Sequence, residues 1–139
     1  MSHTNKARLE AFLERVWNQG EIEAVELFIA DQYTIFHDPG DPWHGQTLTR
    51  SEFTDRLVKS RSPFPDQTFS VQTMLENGHQ VAANWTWKAT HKGDIPGFPA
   101  SGKTITMSGF TLYSFEKDRL CGHWQVCDRL GVFQQLQAG

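Results

Sequence analysis

Residues 104–137 read TITMSGFTLYSFEKDRLCGHWQVCDRLGVFQQLQ, and this stretch decides the fold. Apolar and polar residues alternate from Thr104 to Phe115, break at Glu116-Lys117-Asp118, and resume from Arg119 to Cys127. A period of two on both sides of a short polar break predicts two long strands paired through a tight turn. Asp128 stands where an N-cap stands, just ahead of a short terminal helix that begins at Arg129. On the second strand Cys121, His123, Gln125 and Cys127 are predicted to share one face, and Leu120, Gly122, Trp124 and Val126 the other. Beside Thr111 and Tyr113 of the neighbouring strand, the polar row suits the wall of a partly wet pocket. Solvent exposure or cross-strand pairing of His123 and Gln125 accounts for the same pattern equally well.

The preceding residues extend the sheet. From His79 to His91, Val81, Ala83, Trp85, Trp87 and Ala89 alternate with Gln80, Ala82, Asn84, Thr86 and Lys88. Phe69, Val71 and Met74 mark a further strand that ends near Glu76, and Asn77-Gly78 predicts a type I′ hairpin turn. Residues 93–103, GDIPGFPASGK, form a loop. Within it Gly97–Thr104 matches the phosphate-binding P-loop pattern letter for letter. That pattern holds phosphate only between a strand and a helix start. Here Thr104 opens a strand and Pro99 lacks an N–H, so a loop at a cavity mouth, with Phe98 and the prolines as its rim, is the better reading. Asn84-Trp85-Thr86 fits a glycosylation sequon, but it falls in mid-strand and carries no weight.

The first half is helical. Leu9, Phe12, Leu13, Val16 and Trp17 follow the i, i+3, i+4, i+7, i+8 spacing of an amphipathic helix over residues 5–18. Thr4 or Asn5 suits its N-cap and Gly20 its end. Ala24, Val25, Leu27 and Phe28 predict a second short helix, and Gln32–His37 a short strand. Asp38–Gly45, DPGDPWHG, is turn chemistry. Thr49-Arg50-Ser51-Glu52 matches a capping box and starts a third helix with Phe53, Leu57 and Val58 on its apolar face. The expected fold class is α+β: a curved antiparallel sheet with the N-terminal helices on its concave face, forming a cone with a central cavity, plus a short C-terminal helix.

Composition narrows the function. The chain has 139 residues, suited to one domain over 1–139, and aromatics make up 12 % of it, which favours a bulky core or an aromatic-lined cavity. A net charge of −3 argues against a general nucleic-acid surface. The apolar runs are too short for a membrane span, and residues 1–12 show no leader core, so a cytoplasmic location is expected. Cys121 and Cys127 lie about 20 Å apart on a straight strand, too far for a disulfide. The six histidines form no metal-ligand spacing, and no metal site is expected. His37-Asp38 ends a strand, where it reads either as a general base with its carboxylate or as a strand-end histidine before an Asp-Pro turn.

Four stretches together, AFLERVWNQGEIEAVELFIADQY (11–33), HDP (37–39), VAANWTWKATHKGDIPGFPASGK (81–103) and HWQVCDRLGVFQQL (123–136), resemble the SnoaL-like polyketide cyclase family of the nuclear-transport-factor-2-like superfamily. The resemblance implies a homodimeric cavity protein and ring closure by intramolecular aldol condensation without a cofactor. It also implies an acid/base aspartate on the last strand, in an ending like H-W-D-V-x-D-x-L-G. Here that position is Gln125, an amide that exchanges no proton near pH 7. An assisting histidine of those cyclases falls at Thr111. Asp128 matches the second aspartate and suits a helix cap.

Three functions follow as expectations. The first is binding of a small apolar or aromatic molecule by Trp85, Trp87, Thr111, Tyr113, His123 and Gln125. The second is a cofactor-independent cyclase, isomerase or hydrolase with His37 or His123 as its base. The third is an interaction role through an exposed sheet face bearing Phe110, Leu112 and Trp124. No nucleic-acid or membrane partner is expected.

Overall fold

The computed structural model describes residues 4–138. Helix α1 (Asn5–Phe12) starts at Thr4, whose hydroxyl accepts the Ala7 N–H, and continues as a π-helical segment over Leu13–Asn18. The apolar spacing foretold the extent of this segment; its wider winding leaves no mark on that spacing. Gly20, at φ 70°, ends it in the left-handed region. The Arg61 guanidinium donates to the Trp17 and Asn18 carbonyls there, and a Cβ on Gly20 would lie 2.4 Å from it.

A 3₁₀ turn (Ile22–Ala24) leads into α2 (Val25–Phe28) and β1 (Ile29–His37), which begins before the expected Gln32 because Ile29 already pairs with Leu120. Strand β2 (Thr47–Thr49) was not expected, being too short to display alternation. Helix α3 (Arg50–Arg61) carries both bonds of the Thr49/Glu52 capping box. The long strands follow: β3 (Thr68–Asn77), β4 (Gln80–Thr90), β5 (Thr104–Glu116) and β6 (Arg119–Cys127). Helix α4 (Arg129–Gln137) is capped by Asp128, which accepts the Gly131 N–H; such a cap contributes about 1 kcal/mol.

The six strands form one curved, unclosed sheet in the order β2-β1-β6-β5-β4-β3. All neighbours run antiparallel except β1 and β6, which are parallel. That pair brings the end of β1 beside the middle of β6, and the site depends on it.

Two expectations are corrected. The β3–β4 turn is centred on Gly78 and His79, since Asn77 already pairs with Gln80; only Gly78 has positive φ, the sign pattern of a type II′ turn rather than I′. The face assignment on β6 also changes. Ser114 pairs with Gly122 but Phe115 with Leu120, so Cys121 is an extra residue, a β-bulge. The bulge resets the phase: Leu120 is fully buried with the core, while Trp124 and Val126 face outward. Cys121 therefore leaves the row of His123, Gln125 and Cys127, and its thiol contacts the Ser114 carbonyl.

The concave face buries two apolar clusters. Leu9, Phe12, Phe53 and Leu57 of the helices pack with Val81, Ala83, Phe115 and Leu120 of the sheet. Trp85, Trp87 and Ile105 pack with Val132 and Leu136 of α4. The outer face leaves Phe36, Phe110, Trp124 and Val126 between 43 and 57 % exposed. Residues 93–103 are a loop, pinned where the fully buried His91 ring meets the Ser101 hydroxyl at 2.9 Å, and Thr104 opens a strand, not a helix. Among the described residues no helix is long and apolar enough to cross a membrane.

Candidate active site

A cavity of about 520 Å³ opens between the helices and the concave face. This lies within the range of small-molecule sites. Its walls are mainly aromatic: Trp17, Trp43, Phe64, Phe69, Trp85 and Trp87. Its polar atoms come from Tyr33, Asp41, Arg56, Tyr113, His123, Gln125 and Arg129.

The polar groups converge on one carboxylate. Asp38 is fully buried at the end of β1. Its Oδ2 accepts from His123 Nε2 at 3.1 Å and Gln125 Nε2 at 3.2 Å; its Oδ1 accepts from Arg129 Nη1 at 3.0 Å. Arg56 Nη2 adds an ion pair at 3.6 Å. Burial pushes the Asp38 carboxyl up, but the His123 hydrogen bond and the Arg129 and Arg56 charges outweigh it, and the group titrates below its ordinary value. Asp38 is therefore an anion at neutral pH.

An ionised carboxylate only accepts, so His123 carries its proton on Nε2. Its Nδ1 then accepts from the Tyr33 hydroxyl, 2.6 Å away. Burial pushes the His123 imidazole down; the Asp38 bond opposes this, the Arg56 charge adds to it, and the net direction is down. Burial likewise raises Tyr33 well above its ordinary value and pushes Tyr113 up to about 12. The resting site holds a neutral imidazole and two neutral phenols.

The turn after β1 supplies the second carboxylate. Asp41 Oδ2 takes Arg56 Nη2 at 3.1 Å and lies 3.7 Å from Arg129 Nη2. Two aspartates and two arginines thus alternate, and their charges cancel. Gly40 makes room for this: at φ 91° it has no Cβ, which would lie 2.8 Å from the Arg129 side chain. A second chain of hydrogen bonds runs from Trp85 Nε1 to Thr111 Oγ1 at 2.9 Å, and from Thr111 Oγ1 to Gln125 Oε1 at 2.7 Å. Among the described residues no three His, Cys, Asp or Glu side chains are grouped as metal ligands.

The residues expected to form the site divide as follows. His123, Gln125, Trp85, Trp87 and Tyr113 line the cavity. Thr111 is fully buried behind the wall and links Trp85 to Gln125. His37 stacks on Trp124 with ring centres 4.5 Å apart, on the outward side, because neighbouring residues of a strand point to opposite faces. Asp38 points inward and pairs with His123 instead. Phe98 stacks on Phe133 of α4, and Ile95 and Pro96 of its loop reach the cavity. Tyr33, Asp41, Arg56 and Arg129 were not anticipated. Arg56 left a signal: it falls on the apolar row of α3 between Phe53 and Leu57, where a cation has to find buried partners.

A profile of SnoaL-like polyketide cyclases matches residues 7–136. The chain belongs to the SnoaL-like polyketide cyclase family. Among solved structures, a candidate polyketide cyclase from Acidithiobacillus ferrooxidans is 50 % identical with a TM-score of 0.93, over 99 % of this chain and 96 % of that one. IdmH, a candidate polyketide cyclase from Streptomyces antibioticus, is 26 % identical with a TM-score of 0.83, over 98 % and 100 % of the two chains. A SnoaL-like polyketide cyclase from Agrobacterium tumefaciens, at 22 % identity and a TM-score of 0.77 over 97 % and 99 %, shares the fold. No curated protein matches. In this SnoaL-like chain the carboxylate of the site comes from the end of β1, and the β6 position expected to hold one presents an amide to it.

Proposed function

We propose that this SnoaL-like protein is a cofactor-independent acid–base enzyme acting on a small, largely apolar or aromatic carbonyl compound, with ring closure by carbon–carbon bond formation as its reaction type. One observation carries the reading: a buried neutral imidazole, His123, held against an ionised carboxylate, Asp38, in the wall of an aromatic cavity. Removing a proton next to a carbonyl needs a base that is unprotonated at rest and stabilised once it takes the proton. Asp38 supplies that stabilisation. The cancelling charges of Asp38, Asp41, Arg56 and Arg129 favour a neutral ligand, and the ring faces of Trp17, Trp43, Trp85 and Trp87 favour a flat one.

The test is proton–deuterium exchange beside the carbonyl of 2-tetralone, followed by NMR in D₂O. The protein is expected to accelerate exchange, and His123→Gln to remove the acceleration. Binding without exchange would favour the second reading, a binding protein without turnover, for which Gln125 in place of a proton-transfer group is the supporting observation.

The homodimer is proposed to form through the outer sheet face, where Phe36, Phe110, Trp124 and Val126 are exposed. Phe110→Arg with Trp124→Arg is expected to halve the mass measured by light scattering.

A further inference from the structure

His123 has no atom left for a substrate. Its Nε2–H is given to Asp38, and its Nδ1 lone pair holds the Tyr33 hydroxyl proton at 2.6 Å. Asp38 is enclosed by His123, Gln125, Arg129 and Arg56 and, unlike Tyr33, is not among the residues that line the cavity. The Tyr33 oxygen differs from both. Its proton points at Nδ1, and among the described residues its own lone pairs meet no hydrogen-bond donor, while the side chain lines the cavity. Resting on the acid–base reading above, we infer that Tyr33 is the catalytic residue that touches the substrate, with His123 and Asp38 working through it as a proton relay.

The step balances without a further reactant. A C–H bond next to the substrate carbonyl breaks, and its proton goes to the Tyr33 oxygen. The Tyr33 O–H bond breaks in the same step, and that proton goes to His123 Nδ1. The products are an enolate, a neutral phenol and an imidazolium held by the Asp38 carboxylate. When the enolate carbon has bonded to a second carbonyl carbon of the same molecule, the new alkoxide takes the Tyr33 proton. His123 Nδ1 then returns its proton to Tyr33, and the site is as it began.

Arg56 completes the arrangement by facing the negative charge. Its guanidinium lies 5.5 Å from the Trp17 ring and 5.9 Å from the Trp43 ring, both in the cavity wall. Only Nη2 is hydrogen-bonded, to Asp41, among the described residues, and Nε is buried without a partner. The Arg56 side chain lines the cavity, and its charge there favours an oxygen whose negative charge grows during the reaction. The substrate class is therefore an enolisable ketone with its oxygen toward Arg56 and its acidic C–H toward Tyr33.

Tyr33→Phe removes one oxygen and keeps the ring, so packing is preserved. With 2-tetralone as the probe, this variant is expected to lose about 100-fold or more of the exchange rate. Its affinity for 2-tetralone, read by tryptophan fluorescence, is expected to stay within about threefold, since the apolar walls are intact. The His123 imidazole, followed by ¹⁵N NMR, is expected to titrate higher than in the parent protein, because the hydroxyl no longer supports its neutral form. Wild-type exchange by Tyr33→Phe, with His123→Gln inactive, overturns the relay and leaves His123 as the direct base. Loss of binding together with exchange reduces Tyr33 to a wall residue and also overturns it. No acceleration by the unmodified protein sinks both the relay and the acid–base reading.

Discussion

Gln125 Nε2 lies 3.3 Å from Asp38 Oδ1 and 3.2 Å from Oδ2, while Gln125 Oε1 accepts the Thr111 hydroxyl at 2.7 Å. The amide is needed at both ends: one end donates to a carboxylate and the other accepts from a hydroxyl. A carboxylate at 125 would still accept from Thr111, but it would face the Asp38 anion with no proton between them. Gln125→Glu is thus expected to be less stable than the parent at pH 7.5 by about 1–3 kcal/mol, the cost of a lost charged hydrogen bond with repulsion in its place. The sign with pH follows. The new pair takes up a proton more readily folded than unfolded, so the deficit shrinks as pH falls toward 5. Urea midpoints of both proteins at the two pH values measure this. A deficit that is the same at both would mean that the two side chains do not meet.

Asp38→Asn keeps the shape and removes the charge that His123, Arg129 and Arg56 share. Removing one partner of a buried ion pair costs about 3–5 kcal/mol, and the loss is expected toward the lower end because Asp41 still faces Arg56 and Arg129. The Asp38 bond is what holds the His123 pKa up against burial, so the imidazole is expected to titrate lower still in the variant. Thermal unfolding and ¹⁵N shifts of the His123 ring test both outcomes. A variant that melts with the parent, with His123 unchanged, would show that the pair is not formed in solution.

Acid should weaken the protein in two stages. His123 is depressed in the folded state and ordinary, about 6.5, when unfolded. As pH falls through that value the unfolded chain gains a proton that the folded one refuses, so stability falls. The loss stops once folded His123 is protonated. Asp38 acts lower: its folded pKa is depressed, so its contribution is complete above about 4 and disappears as pH falls through the folded value. Urea titrations from pH 7.5 to 4 are expected to show the first stage in the parent and lack it in His123→Gln.

What the sequence made legible, and what it hid, divides along the range of the interactions. Trp85, Trp87 and Tyr113 were placed on the inner wall by alternation, because a pleated strand sorts its side chains locally. The pairing of Asp38 with His123 spans 85 residues and exists because β1 lies parallel beside β6, which no local pattern reports. Strand parity could have separated His37 from Asp38, since adjacent residues cannot both face the cavity. The bulge at Cys121 was hidden for another reason: it is decided by which residue of β5 each residue of β6 meets. Asp41 sat in plain view but was absorbed into the turn reading of DPGDPWHG, where Asp is equally at home as a turn former.

Gly109 faces Trp85 across the β4–β5 ladder, and a Cβ there would lie 2.3 Å from the indole ring. The absent side chain lets the indole lie flat against β5 with its N–H on Thr111, the first bond of the chain that ends on Asp38 through Gln125. Gly109→Ala is expected to push the ring off, at about 1–3 kcal/mol for an overpacked site. The loss of packing and the loss of the Thr111 bond can be told apart by a double-mutant cycle with Thr111→Val. If the ring has moved, Thr111→Val will cost less on the Gly109→Ala background than on the parent. Additive costs would mean that the indole stays on Thr111 and that the sheet, rather than Trp85, yields to the added methyl.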